Sequence, residues 1–297
     1  MDRGPDGVLL VDKPAGITST KALAIAKRAL GSLKAGHTGT LDPFATGLLP
    51  LVFGEATKFS RFLIESDKRY VATLALGVTT TSGDTEGEIV SRSPVSVSLG
   101  EIESISKQLI GFSTQIPPMH SAVRVQGRRL YDLARQGLEV ERAPRDVRID
   151  FLDIVEFSGE KLVISVKCSK GTYIRTLAEE LGSRLGCGAY LTGLRRTGSG
   201  QFDVTDAATL EQLAEIGTDA SRARLLPVDV LVQSLPHLVV DERGAWAIRN
   251  GQVIAADPAW SSGEGAVYGP DDFLIGVGMV DAGQLAATRL LATNLTG

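Results

Sequence analysis

The sequence predicts a mixed α+β fold in two parts, a large domain in which strands and helices alternate and a small β-rich unit at its end. Three observations carry this. The chain has 297 residues, and a single core seldom grows beyond roughly 250–300 residues before a chain divides. Before residue 231 the apolar pattern switches between strand-like runs and helical spacing. Around residues 231–236 the composition changes to short Gly-, Ala- and Val-rich runs. At 43% hydrophobic and 22% charged residues, with 33 glycines and 12 prolines, the composition is that of an ordinary globular protein and excludes only disordered and fibrous classes.

Gly7-Val8-Leu9-Leu10-Val11-Asp12 reads as a buried strand, ended by the turn residues of Lys13-Pro14-Ala15-Gly16. A helix follows, with Thr18 or Ser19 as N-cap, Leu23, Ile25, Ala26 and Leu30 at helical spacing, and Gly31 as its stop. Residues 36–54 are punctuated by Gly, Thr and Pro and read as a long loop held against the core by Leu41, Leu48, Leu49, Leu51 and Val52. Residues 70–76 form a strand, 82–87 a tight turn into Glu88-Ile89-Val90, and 101–111 a short amphipathic helix. Residues 115–148 stand out as an insertion with one helical piece at 129–136. Residues 151–157 and 161–168 read as paired strands, the second alternating so that Cys168 faces the core. A helix runs from 171 to 185, and 189–197 and 199–204 add sheet. Beyond the boundary, 237–240, 265–268 and 273–280 are strands of a small β-domain occupying 231–297.

The net charge of −4 is not spread evenly. Residues 232–297 hold three basic and seven acidic side chains, so all of the acidity lies in the tail and residues 1–231 are neutral. Within the neutral part, 115–148 carries seven arginines against four acids, and 161–175 carries four basic residues and no acid. These stretches are either solvated faces or phosphate-binding surfaces. No apolar run approaches the ~18 residues needed to span a bilayer. The acidic start, Met1-Asp2-Arg3-Gly4-Pro5-Asp6, lacks a signal core, and two cysteines fit a reducing cytoplasm.

His37, His120 and His237 with Cys168 and Cys187 make no metal-ligand spacing, and there is no phosphate-cradling or dinucleotide-binding glycine motif. The expectation is chemistry without a metal or cofactor, done by side chains alone. Asp42, in a loop of small residues before Pro43, is the candidate carboxylate, as nucleophile or general base. On its own it reads more readily as the start of an Asp-Pro turn. A glycosidase would pair two carboxylates, and no second acid accompanies Asp42 in its motif.

Lys13-Pro14-Ala15-Gly16-Ile17-Thr18-Ser19 and Gly36-His37-Thr38-Gly39-Thr40-Leu41-Asp42-Pro43-Phe44-Ala45-Thr46-Gly47-Leu48-Leu49 resemble the first two motifs of the TruB family of tRNA pseudouridine synthases. Asp67-Lys68-Arg69-Tyr70, Gly171-Thr172-Tyr173-Ile174-Arg175-Thr176 and Leu194-Arg195-Arg196-Thr197-Gly198-Ser199-Gly200-Gln201-Phe202 are similar to its later motifs, so the likeness runs from residue 7 to 230. One departure is Thr80-Thr81-Ser82-Gly83-Asp84, which touches a local turn. The resemblance implies a catalytic domain over 1–230, with a central mixed, mainly antiparallel sheet flanked by helices and a thumb-like insertion at 115–148, followed by a PUA-like domain over 231–297.

The same resemblance implies roles. Asp42 is the catalytic carboxylate, Arg175 the guanidinium that keeps it ionised, and Tyr70 the ring that stacks on the target base. Leu194 is an apolar wall or simply core, and His37 plugs the gap left by a flipped nucleotide. Lys13 is grouped with the substrate-binding residues, and with Pro14 it braces the catalytic loop more than it touches substrate. Arg124, Arg128 and Arg129 bind phosphates from the thumb. The implied partner is the T-stem-loop of tRNA, modified at uridine 55 by a monomer acting without a guide RNA. The competing readings are a guide-dependent rRNA synthase and a non-catalytic tRNA-binding or tRNA-folding protein.

Overall fold

The computed structural model of the protein describes residues 4–32, 34–121, 123–125, 127–134 and 136–292. Strand β1 (Gly7–Lys13) is buried at every position except Asp12, which marks a strand covered on both faces. Helix α1 (Ser19–Leu30) begins where expected, with the Thr18 side chain accepting from the Lys21 amide, and stops at Gly31 in the left-handed region at φ 60°.

The segment expected as a loop over 36–54 is mostly strand. Strand β2 (Ala35–His37) pairs with β3 (Thr46–Phe53), and only residues 38–45 are loop. Leu48, Leu49, Leu51 and Phe53 are fully buried, the signature of a central strand. Pro50 had argued for a turn, since proline cannot donate to a ladder. It sits opposite Leu10 of β1, one residue past the end of the β2 pairing at His37↔Leu51.

A 3-10 turn (Gly54–Phe59) and α2 (Ser60–Glu65) lead into β4 (Lys68–Leu76), and a hairpin of β5 (Val78–Thr80) and β6 (Ile89–Arg92) encloses the expected turn at 82–87. Helix α3 (Leu99–Gln108) starts two residues earlier than its periodicity implied, because Ser98 and Glu101 cap it reciprocally. Strand β7 (Gly111–Gln115), two short strands β8 (Arg124–Val125) and β9 (Arg128–Arg129), helix α4 (Leu130–Ala134) and the long β10 (Arg145–Ser158) follow. Because β7 and β10 pair from Arg145↔Gln115 to Ile149↔Gly111, both ends of the Arg-rich stretch belong to the sheet. The part that stands apart is 116–144.

Strand β11 (Lys161–Cys168), helix α5 (Ile174–Arg184), β12 (Ala189–Ser199), β13 (Phe202–Asp203), β14 (Ala208–Thr209), α6 (Leu210–Glu215) and α7 (Gly217–Arg222) complete the first part. Among the described residues, ten strands join one sheet in the order β14-β1-β3-β12-β4-β11-β10-β7, with β13 on β12 and β2 on β3. Only the β1–β14 and β3–β12 pairs are parallel, so the sheet is mixed and mainly antiparallel. At the β3–β12 crossing a side chain on Gly47 (φ 102°) would meet the Arg196 carbonyl oxygen at 2.2 Å, so glycine alone lets the two backbones close there.

The tail folds as β15 (His237–Val239), α8 (Glu242–Arg249), β16 (Ile254–Ala255), β17 (Gly263–Tyr268), β18 (Leu274–Asp281) and β19 (Gln284–Leu290), making a five-stranded sheet. Helix α8, capped by the Asp241 side chain, was not expected. The two sheets share one apolar cluster, in which Val8, Leu10 and Phe59 pack with Ala266, Tyr268 and Val277. Lys58 Nζ also donates to the Leu290 carbonyl at 2.9 Å, the Ala292 amide donates to Glu55 Oε2 at 2.6 Å, and Arg61 pairs with Glu264. Among the described residues no helix is long and apolar enough to cross a membrane.

Candidate active site

The loop 38–45 is held from below at every turn of its backbone. Ser19 Oγ accepts from the Leu41 amide at 2.8 Å and donates to the Leu41 carbonyl at 3.0 Å. The Gly16 amide donates to the Pro43 carbonyl at 2.8 Å, and Thr38 is tied to the Pro50 carbonyl. Leu41 and Ala45, either side of Asp42, are sunk into the core. Asp42 is thereby pushed up from the loop with its side chain 31% exposed.

Arg175, in the first turn of α5 and 3% exposed, faces Asp42 with Nε 3.1 Å from Oδ2. Its Nη1 donates to the Ser82 carbonyl at 3.2 Å and lies 3.5 Å from Asp84 Oδ2, while Nη2 donates to the His120 carbonyl at 2.6 Å. One guanidinium thus joins the 38–45 loop, the 82–87 turn and the base of the 116–144 excursion. Burial pushes the Asp42 carboxyl above the usual carboxylate range, and Arg175 is the largest influence pulling it back. Asp84 pushes it further up, and Lys13 opposes it.

Asp84 has a role the sequence reading passed over as a local turn. It is 2% exposed, accepts from the Ser82 hydroxyl and the Glu86 amide, and shares Arg175 with Asp42. Asp84 is not on the pocket wall, so this second acid is not placed to protonate a leaving group as a glycosidase would require. Its signal in the sequence was weak, because an aspartate after Ser-Gly reads as turn chemistry.

The pocket in front of Asp42 has a volume of ≈ 470 Å³, within the range of sites for small organic groups. Tyr70 from β4, Leu194 from β12, Tyr173 and Ile174 at the start of α5, and Lys68 and Arg196 all line it. Tyr70 and Leu194 are partly buried against both major apolar clusters of the first part, so Leu194 is pocket wall and core at once. The Tyr70 phenol is pushed up by burial and is neutral at physiological pH. The Tyr173 amide donates to Gln115 Oε1 at 2.9 Å, so the last residue of β7 caps α5 in place of its own N-cap side chain. Lys68 donates to the carbonyls of Leu63, Ile64 and Ser66, closing the C-terminus of α2 beside the pocket.

Other expected site residues lie elsewhere. Lys13 is 0% exposed and its ammonium donates to the carbonyls of Pro14, Ile17 and Pro43. It braces the 38–45 loop and has no surface for substrate, and burial lowers its pKa to about 8. His37 ends β2, partly exposed and off the pocket wall. The described arginines of 115–148 have different surroundings. Arg148 is engaged by Asp67 and Asp150, and Arg142 Nη1 donates to the Pro117 carbonyl. Arg145 lines the pocket, and Arg128 is exposed, donating to Gln136. The side chains of Arg124 and Arg129, and all of Arg135, lie outside the described residues. Among the described residues no group of three or more His, Cys, Asp or Glu is placed to hold a metal ion.

Comparison with known proteins decides the family. Residues 27–174 match the family described as TruB family pseudouridylate synthase (N terminal domain). Residues 175–233 match the tRNA pseudouridylate synthase B C-terminal domain, and 236–291 match Pseudouridine synthase II TruB, C-terminal. The tRNA pseudouridine synthase B of Thiobacillus denitrificans is 50% identical over 288 residues, covering 97% of this chain and 96% of that one. The chain belongs to the TruB family. The protein of the same name from Methylobacillus flagellatus is 46% identical over 97% of this chain and 96% of its own, and that of Dechloromonas aromatica is 50% identical over 92% and 91%. Among solved structures, a chain of the Cbf5-Nop10-Gar1 complex is 25% identical with a TM-score of 0.72, covering 96% of this TruB-family chain and 84% of its own. A chain of an H/ACA RNP bound to a substrate RNA, 24% identical with a TM-score of 0.72 and covering 97% and 85%, has the same fold.

Proposed function

We propose that this protein isomerises uridine to pseudouridine in tRNA, at uridine 55 of the T-loop, with Asp42 as the catalytic carboxylate. The observation that carries the reading is the Asp42–Arg175 pair at the mouth of a pocket walled by Tyr70 and Leu194, in a chain whose relatives of 46–50% identity are named tRNA pseudouridine synthase B.

The reaction breaks the C1′–N1 bond, turns the ring, joins C5 to C1′, removes the proton from C5 and leaves one on N1. Nothing is oxidised or transferred elsewhere, so side chains suffice. Asp42 can attack C1′, attack C6 of the ring, or take the C2′ proton. Each route begins with an ionised carboxylate, which is what Arg175 secures against the cost of burial. Tyr70 offers its face to a base that has left the stack, and Leu194 adds an apolar wall beside it. His37, at the far end of the same loop, enters the RNA where that base was, since unstacking costs several kcal/mol unless the gap is filled. Arg128 and its neighbours Arg124 and Arg129 contact phosphates.

Residues 1–230 carry the chemistry and 231–297 an outer contact to the substrate, and the protein works as a cytoplasmic monomer. Nucleotide-resolution mapping of tRNA after incubation with pure protein tests this. A single new pseudouridine at position 55 supports the reading, and none on any prefolded tRNA overturns it.

A further inference from the structure

Arg196 is 2% exposed and among the largest enclosed side chains in the protein. It sits on β12 opposite Tyr70 of β4 on one side and Gly47 of β3 on the other. Its Nε donates to the Leu48 carbonyl at 2.7 Å and its Nη2 to the Gly39 carbonyl at 3.2 Å. Those carbonyls bracket the loop that presents Asp42. The adjacent Arg195 points to the other face and is held by Asp12 through two hydrogen bonds, whereas among the described residues Arg196 forms no ion pair. A buried guanidinium without a carboxylate is costly, and an apolar side chain would fill the same space, so packing gives no reason for it. Across the β12–β4 pair the guanidinium lies beside Tyr70, and its charge draws the buried phenol back down against the effect of burial.

We propose that Arg196 is a positioning residue, which ties the Tyr70 ring to the loop carrying Asp42 and fixes the spacing of ring and carboxylate across the pocket. This rests on the isomerisation proposed above. The side chain bonds two carbonyls at once while standing across from Tyr70, a geometry the planar fork of arginine can meet and the single ammonium of lysine cannot.

The test uses the full-length Arg196→Lys and Arg196→Met variants, each with Tyr70 intact and with Tyr70→Phe. Single-turnover conversion of tRNA is expected to slow by about a hundredfold, the scale of a small misplacement of reacting groups, while the Kd for tRNA stays within about threefold. In the Tyr70→Phe background the further loss is expected to shrink, because the partner is already gone. Hydrogen exchange of the amides of 38–45 is expected to speed up in Arg196→Lys and also in Tyr70→Phe, with 7–13 unchanged. Wild-type conversion rates in the Arg196 variants, or losses that multiply fully with Tyr70→Phe, overturn the proposal. Should the Arg196 variants fail to fold, the exchange measurement on Tyr70→Phe stands by itself, and an unchanged loop overturns the tie. No pseudouridine from the wild-type protein, together with the loop loosening described in the variants, overturns the functional reading and leaves the geometry of the tie intact.

Discussion

At the scale of single residues the site turns on one carboxyl that burial pulls towards its neutral form and a guanidinium pulls towards its charged form. Burial raises the Asp42 pKa from its ordinary 3.8, so the folded protein binds this proton more tightly than the unfolded chain does. The stability contributed by this group therefore falls as pH rises from about 4 through the raised folded value. Asp42→Asn, which is neutral at every pH, is expected to raise Tm at pH 7 relative to wild type, with the gain vanishing below about pH 4. Thermal unfolding across pH 3–8 checks it, and a lower Tm for the variant at pH 7 contradicts it. Arg175 is the main influence opposing burial, so Arg175→Met is expected to shift the acid limb of the single-turnover rate to higher pH. It also lowers the plateau by about 10²-fold or more, through loss of the ionised form and of its orientation. An acid limb that stays in place in the variant means that Asp42 does not depend on Arg175. The carboxylate and its partner were legible in the sequence, because a specific motif surrounds each. Asp84, Lys68 and Arg196 were not, since burial alone distinguishes them from a turn residue and two surface cations.

At the scale of elements, the 116–144 excursion meets the Asp42–Arg175 pair through the His120 carbonyl on Arg175. If its cations bind phosphate, replacing Arg124, Arg128 and Arg129 with glutamine weakens tRNA binding. Each lost contact also lowers the log–log salt slope by about 0.7–0.9. An unchanged slope in filter-binding titrations assigns this face to solvent. Element recognition from sequence succeeded where local chemistry and burial agree, as in β1 and in α1 between Thr18 and Gly31. It failed at β3, where Gly47 and Pro50 have tertiary reasons that mimic a loop, one a close crossing with β12 and the other the end of the β2 pairing. It failed again at the start of β10, because Arg145, Asp146 and Arg148 are charged and lie beside the edge strand β7, where half the side chains face water. Helix α8 escaped because its eight residues are too short to show a period beside the surrounding Gly and Ala.

At the scale of the whole molecule, the two sheets share a core, which changes what removing the tail does. A protein ending at Leu231 uncovers Val8, Leu10 and Phe59, which pack with Ala266, Tyr268 and Val277. Uncovering side chains of this kind costs about 2–5 kcal/mol, so the truncated protein is expected to lose that much in urea unfolding. Every residue assigned to chemistry lies before the cut. Under conditions where the truncation stays folded, the rate on an isolated T-stem-loop is expected to hold while KM for whole tRNA rises. Equal loss on both substrates contradicts that division of labour. The most direct test of the central claim, that the Asp42 pocket isomerises uridine in tRNA, is tritium release from tRNA labelled at C5 of uridine, because the reaction must expel that hydrogen from the modified base alone. The account predicts release of one tritium per tRNA by the wild-type protein, and none by Asp42→Asn bound to the same tRNA. Release by Asp42→Asn at the wild-type rate, or no release by the wild-type protein, contradicts it.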